Sequence, residues 1–319
     1  MKRLFLKCLI YAILIVFALE VYVRAFHLTK DYPSRYIDNY GVEKWVPNQS
    51  GFSVTGNRRQ NFSEYHINNS GFNSYREYNP TKDKIEVALV GDSFIEGFHQ
   101  HYYNSIGKKI ENRIKDIDVY EFGYAGYDFA DQLHLVHSYK KEFDLIDHII
   151  FGLKFENDLT RGEYIVVKDR MRLETPLFKT LREIKILAYA QSIGIIDPVR
   201  KAPGKLISFF KGGNKQKTEL TEEEQLLKDT ENNKTYLENF KNLIHLYGYD
   251  KRRYTLLIDK SKTPKMFLDY LDNNGFRYID FSEALEASNK PTDLIYDKHW
   301  NNNGRSIIAR LIADYINKN

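Results

Sequence analysis

Ile85-Glu86-Val87-Ala88-Leu89-Val90-Gly91-Asp92-Ser93-Phe94 runs from an apolar segment straight into a turn. Ile85–Val90 stays largely apolar without alternation and stops at Gly91, the pattern of a strand buried on both faces of a sheet. Beyond the turn, Ile106, Ile110, Ile114 and Ile117 recur at helical spacing, which predicts a helix over that span. The next apolar run, Val119–Phe122, reads as a second strand.

The same alternation continues toward the C-terminus. Asp128–Tyr139 reads as a helix, His148–Leu153 as a β-prone strand, and Tyr236, Leu237, Phe240, Leu243 and Ile244 mark an amphipathic helix. Tyr254–Ile258 reads as a strand, Pro264–Asn273 as a helix and Phe276–Asp280 as a strand. Ile307, Ile308, Leu311, Ile312 and Ile316 lie on a closing helix. Strands separated by helical patterns of this length imply βαβ units, hence an α/β domain built on a parallel sheet. In such sheets ligands bind beyond the carboxyl ends of the strands.

Chemistry-bearing residues fall at those ends. Ser93 follows the first strand and opens a helical segment, where its hydroxyl and its own amide can face one substrate atom. Taken alone, Gly-Asp-Ser is equally a turn and helix cap. Asp297 and His299 are two residues apart near the C-terminus. An imidazole can take a serine proton, and a neighbouring carboxylate can fix its tautomer. On an extended segment the two would project to the same side. Gly126 follows the second strand and Asn157 the third. With the Ser93 amide they would supply three donors to an oxyanion. His99 and His101 come just after the serine turn, and without a His-Glu-x-x-His pattern they read as surface histidines.

Outside this core, the first 27 residues have basic Lys2, Arg3 and Lys7 before the apolar run Cys8–Leu19, extended past Glu20 by Val21–Val23. No small-x-small cleavage site follows, so residues 1–27 are expected to be an uncleaved, single-pass transmembrane anchor with its basic end cytoplasmic. That places the remainder outside the cytoplasm, in a bacterial cell envelope. Residues 28–80 read as an irregular lead-in with a short hairpin near Phe62–Ile67, and 81–319 as the main domain. An insertion at about 160–234 interrupts that domain. It carries nine Lys or Arg against two acidic residues between Pro176 and Lys217, interleaved with Leu177, Phe178, Leu181, Ile184, Leu187, Leu206 and Phe209. Such a stretch can lie on an anionic membrane, form a lid, or simply be solvated. Thr218–Asn233 reads as an acidic linker. The near balance of 47 basic and 43 acidic residues gives nucleic-acid binding no support. Cys8, the single cysteine, excludes thiol catalysis and intrachain disulfides in the folded domain.

Together, Gly91-Asp92-Ser93, Gly126, Asn157 and Asp297-x-His299 resemble the four blocks of the SGNH/GDSL hydrolase superfamily. Asn68–Tyr78 also resembles the approach to this domain in membrane-anchored relatives, and Asp-x-His-Trp-Asn is similar to the form in envelope polysaccharide O-acetyltransferase-like members. Glu121 and Glu156 depart from that pattern, standing where many relatives have asparagine and glycine. The resemblance implies a three-layer α/β/α, flavodoxin-like fold with no metal or organic cofactor. It assigns Ser93 as nucleophile, His299 as base, Asp297 as its orienter, and Gly126 and Asn157 as oxyanion donors. Three functions follow as expectations. The first is a serine esterase acting on an extracytoplasmic acylated glycan or lipid. The second is an O-acyltransferase using the same residues, with a separate multi-spanning membrane protein as acyl donor. The third is a non-catalytic envelope scaffold or glycan-binding protein.

Overall fold

The computed structural model describes residues 1–56, 59–195 and 222–318. In chain order the elements are α1 (Lys2–Ala25), β1 (Arg35–Ile37), β2 (Glu43–Trp45), β3 (Ser50–Thr55), β4 (Asn61–His66), β5 (Ile85–Gly91), α2 (Ser93–Glu96), α3 (Ile106–Glu111) and β6 (Ile117–Gly123). They continue with α4 (Phe129–Ser138), α5 (Lys140–Phe143), β7 (His148–Leu153), α6 (Phe155–Asp158), α7 (Lys168–Met171), α8 (Pro176–Glu183), α9 (Lys185–Ser192) and α10 (Glu222–Tyr247). The chain closes with β8 (Tyr254–Ile258), α11 (Lys265–Asn273), β9 (Arg277–Asp280), α12 (Ser282–Glu286) and α13 (Asn302–Ile316).

The central sheet has five parallel strands in the order β6-β5-β7-β8-β9. This is the flavodoxin-like 2-1-3-4-5 order of a doubly wound fold. Successive residues of a strand point to opposite faces, and β5 is apolar on both. Ala88 and Val90 pack with Phe129, Phe240 and Phe267 of α4, α10 and α11. Val87 and Leu89 pack with Ile106 and Ile110 of α3 and Ile308 and Ile312 of α13. Helices therefore cover both faces, giving three α/β/α layers.

Three expectations are corrected. The isoleucine spacing does not continue one helix: α3 stops at Glu111, the backbone turns through a left-handed Asp116 (φ +54°), and Ile117 opens β6. Ile114 still packs against the same layer, so the apolar periodicity outlasts the helix. The expected linker at 218–233 is helical from Glu222 onward, while Leu206, Phe209 and the rest of 196–221 lie outside the described residues. The lead-in is also more than irregular. It forms two antiparallel hairpins, β1–β2 and β3–β4, and Trp45, Tyr65, Ile67 and Phe72 join the core layer beside α4. Its strands are only three to six residues long, too short to show a clear period-two pattern.

At the N-terminus α1 has 24 residues, with a mean hydropathy of 2.4 over its most apolar window and none of that window buried. At 1.5 Å per residue it is about 36 Å long, long and apolar enough to span a membrane.

Because Phe72 is 1% exposed, Phe72→Ala is expected to destabilise the protein by about 3–5 kcal/mol, as much as Phe122→Ala within β6. Urea unfolding of the detergent-solubilised chain measures both. A loss below about 1 kcal/mol at position 72 would mean that the lead-in is not part of the core.

Candidate active site

β5 ends at Gly91 and the chain turns at once into α2. Asp92 caps this short helix, its Oδ1 accepting from the Phe94 amide at 2.9 Å. Ser93 is the first helical residue. The turn is held tightly against the end of β6: the Tyr124 amide donates to the Gly91 carbonyl at 3.0 Å. A Cβ at Gly123 would lie 1.9 Å from the Glu96 amide nitrogen, so only glycine fits where β6 passes the helix.

His299 comes from the other end of the chain. The Leu294 amide donates to the His299 carbonyl at 2.8 Å and the Asn301 amide to the Thr292 carbonyl at 2.8 Å, folding 292–301 back on itself. Asn301 then caps α13, its Oδ1 accepting from the Asn303 and Gly304 amides. The expected extended segment is a turn instead, because Lys298 is left-handed (φ +57°). That turn brings Asp297 Oδ1 onto His299 Nδ1 in a short hydrogen bond. On the far side of the ring, His299 Nε2 lies 2.8 Å from Ser93 Oγ. A proton on Nδ1, facing the carboxylate, leaves Nε2 as the acceptor for the serine hydroxyl. Phe94 packs on the imidazole at 4.5 Å and on Trp300 at 4.7 Å, which fixes the ring plane.

A second histidine shares the carboxylate. His99 Nε2 is 2.9 Å from Asp297 Oδ2, and its ring stacks on His299 at 4.0 Å. Thr55 Oγ1 approaches the same oxygen at 3.4 Å. Burial, reinforced by the adjacent His299, pushes the His99 pKa down to about 4, so at neutral pH it is an uncharged donor to Asp297. Its Nδ1 is buried without a partner, which suits the bare lone pair of that tautomer. His99 is thus no solvated surface histidine. Only its closeness in sequence to Ser93 hinted at this, because the contact depends on the C-terminal turn. His99, Asp297 and His299 offer ligand atoms within 4.8 Å of one another. Yet the two rings stack and each spends a nitrogen on the same carboxylate, so the set reads as a hydrogen-bond network. His101 ends beside Tyr103, ring to ring at 5.3 Å.

The strand order puts the ends of β6 and β7 on either side of β5. Gly126, after β6, is exposed and left-handed (φ +88°). Its carbonyl accepts from Arg170 at 2.7 Å, and its N–H has no partner among the described residues. Asn157 lies in α6, after β7, exposed and with its side-chain amide likewise unpartnered. It lines a cavity of about 380 Å³ with Phe94, Lys154, Phe281, Lys298 and Trp300; Ser93 is beside this cavity and not in its wall. Of the two departures from the family pattern, Glu156 is exposed on the cavity rim. Glu121 is buried away from the site, accepting from the Gly107 amide at 3.0 Å.

Beneath the turn are two buried acids. Burial pushes Glu96 up to about 7, against the pull of the Trp45 indole (2.7 Å) and the Ala125 amide, which donate to it. Burial, and then the nearby Asp92, raise the Asp158 pKa well above the usual carboxylate range. Asp92 is neutralised by Lys154 Nζ at 2.6 Å.

No family model and no curated protein matches the sequence. Among solved structures, a lipolytic protein of the G-D-S-L family from Veillonella parvula is similar at 11% identity. It covers 74% of this chain and 100% of its own, with a TM-score of 0.40. A lipase/acylhydrolase from Enterococcus faecalis is similar at 13% identity, covering 73% and 96%, with a TM-score of 0.40. An acetylxylan esterase from Geobacillus stearothermophilus, solved as a catalytic mutant, is similar at 12% identity, covering 74% and 96%, with a TM-score of 0.32.

A depressed histidine pKa means that protonation favours the unfolded chain. The His99 contribution is whole above its unfolded value near 6.5 and lost as pH falls toward about 4. Relative to His99→Gln, which keeps a donor and does not titrate, the native protein is expected to lose about 3 kcal/mol over that window. Urea midpoints across the pH range test this; parallel profiles would show that His99 is not held neutral.

Proposed function

We propose that the chain is a serine esterase of the SGNH/GDSL type, anchored by α1 and acting on an acyl ester of an envelope glycan or lipid. The observation that carries this reading is the continuous chain Ser93 Oγ to His299 Nε2 at 2.8 Å, with His299 Nδ1 on Asp297. Geometry of this kind belongs to an activated nucleophile with its base and the base's orienter.

In the reaction, Ser93 Oγ bonds to the ester carbonyl carbon while its proton passes to His299 Nε2. The carbonyl oxygen becomes an oxyanion stabilised by the Ser93 and Gly126 amides and the Asn157 side chain. The imidazolium is stabilised by Asp297 and gives its proton to the leaving alkoxide as the carbon–oxygen bond breaks. Water, giving a proton to His299 Nε2, then attacks the acyl-serine; His299 returns that proton to Ser93 Oγ as the acyl–oxygen bond breaks, releasing the carboxylic acid. His99 touches no reacting atom; it is a positioning residue that holds Asp297.

An O-acyltransferase differs only in the last step, where a sugar hydroxyl replaces water. The cavity lined by Asn157 and Trp300 lies beside the nucleophile and supplies a place for such an acceptor. That reading requires an acyl donor, in keeping with a separate multi-spanning partner. Both readings place the catalytic domain outside the cytoplasm, with Lys2, Arg3 and Lys7 on the inner side of the membrane.

The full chain in detergent is expected to hydrolyse p-nitrophenyl acetate and to take a fluorophosphonate label. Ser93→Ala and His299→Ala should abolish labelling and lower kcat by at least ~10³. A folded native protein that neither turns over nor labels would leave the scaffold reading standing; label retained in Ser93→Ala would assign the wrong nucleophile. Asn157→Ala should lower kcat about 10²–10³-fold with little change in KM, and an unchanged kcat would remove it from the oxyanion site. Adding oligosaccharide acceptors during turnover separates transfer from hydrolysis by the acylated sugar formed.

A further inference from the structure

Two helices of the insertion leave their apolar residues uncovered. No residue of α8 or α9 is buried. Leu177 is 67% exposed, and Phe178, Leu181, Ile184 and Leu187 are 37–45% exposed. Leu177 and Leu181 are one turn apart on α8, and Ile184 follows at the junction with α9. Polar Lys179, Thr180, Arg182 and Glu183 fall between these apolar positions.

This pair is fastened to the outer end of α1. Glu20, the one acidic residue of that helix, accepts from the Lys185 and Ile186 amides at 3.0 and 2.7 Å, the first turn of α9. Arg24 pairs with Glu20 at 2.7 Å and donates to the carbonyl of Glu183, the last residue of α8. Lys185 Nζ reaches Asp31 at 2.8 Å. A carboxylate so close to a spanning segment is expensive unless paired, and here its partners are the unpaired amides of a helix start. The stretch from Leu4 to Leu19 is 16 residues, or about 24 Å of helix, short of the roughly 30 Å hydrocarbon core. Val21–Val23 must therefore help to complete the span, which puts Glu20 near its outer end, and α8–α9 begin at that level.

We propose that α8 and α9 lie on the outer leaflet of the bilayer that α1 crosses, their apolar side chains seated at the headgroup–acyl boundary. The occupant of this face is lipid, for two reasons. The face is continuous with α1, whose apolar side chains are themselves uncovered, and α8–α9 carry three basic residues against one acidic, the composition of an interfacial amphipathic helix. The arrangement also orients the catalytic domain. The β3–β4 hairpin touches both regions: the His27 ring packs on Phe52 at 4.2 Å, and Thr55 and Asn61 reach Asp297 and the His99 carbonyl. The active-site edge of the sheet is thereby tied to the anchor side. The proposal rests on α1 spanning a membrane and is independent of the catalytic roles.

The test uses the full chain with Cys8→Ser, carrying a single cysteine labelled with an environment-sensitive fluorophore at Phe178, Leu181 or Leu187. Lys115, exposed at the amino end of β6, is the control. The protein is reconstituted in vesicles of phosphatidylethanolamine and phosphatidylglycerol containing nitroxide lipids. Labels at 178, 181 and 187 should be quenched several-fold more than at 115, and more by headgroup-proximal nitroxides than by deep ones. If the protein floats with the vesicles but these positions match Lys115, or are shielded from lipid and aqueous quenchers alike, the proposal fails while the anchor stands. If the protein does not float, the anchor reading fails with it.

Discussion

The carboxyl edge of the sheet is organised by a single steric constraint, the close approach of β6 to the turn that follows β5. With no side chain at Gly123, the end of β6 passes within van der Waals reach of the α2 backbone, and the Tyr124 amide closes the contact on Gly91. The position of Ser93 is therefore set by strand packing and not by a flexible loop. A site built on the ends of adjacent parallel strands inherits the rigidity of the sheet. Gly126 and Asn157 follow the two strands that flank β5, so the same constraint sets where their donors sit relative to the serine.

Electrostatics around that turn depend on burial balanced by specific donors. Asp297 collects His299, His99 and Thr55, so its lone pairs are largely used and its orientation is over-determined. A carboxylate satisfied in this way can stabilise an imidazolium without itself taking the proton. The neutral state of His99 matters here, since a cation stacked on His299 would oppose any positive charge on that ring. Beneath the turn, Glu96 holds the lead-in and the β6 loop together through Trp45 and Ala125, a structural use of a buried acid.

Much of this was legible in the sequence, and the parts that were not share a cause. β7 and β8 fall on His148–Leu153 and Tyr254–Ile258, as their apolar runs imply, because central parallel strands are buried on both faces. Gly91-Asp92-Ser93 read correctly as a strand-to-helix turn. What stayed hidden depends on contacts distant in the chain. Ile117 kept a helical spacing while belonging to a strand, since α3 and β6 bury their isoleucines in the same layer. Trp45, Ile67 and Phe72 follow no period, because they fill gaps in a core made by other elements. His99 looked solvated because its partner lies some two hundred residues away. The meeting of Asp297 with His299 was anticipated, but through an extended segment; the left-handed Lys298 does it by a turn, and an unremarkable lysine gives no sign of that.

These long-range contacts tie residues 28–80 to the sheet that carries Ser93. Removing residues 28–80 would take Trp45, Ile67 and Phe72 from the core and leave their neighbours facing water. It would also strip the Trp45 indole from Glu96, a group buried completely, and a buried polar group without its partner costs more than the bond it lost. Asn61 and Ser63 donate to the carbonyls of His99 and Phe98, so the segment that presents His99 to Asp297 would lose its backing as well. The lead-in is in this sense the back wall of the edge that carries Ser93 and His99. Because the same hairpin packs on His27 at the end of α1, the path from α1 to the serine runs through packed side chains and not through a linker.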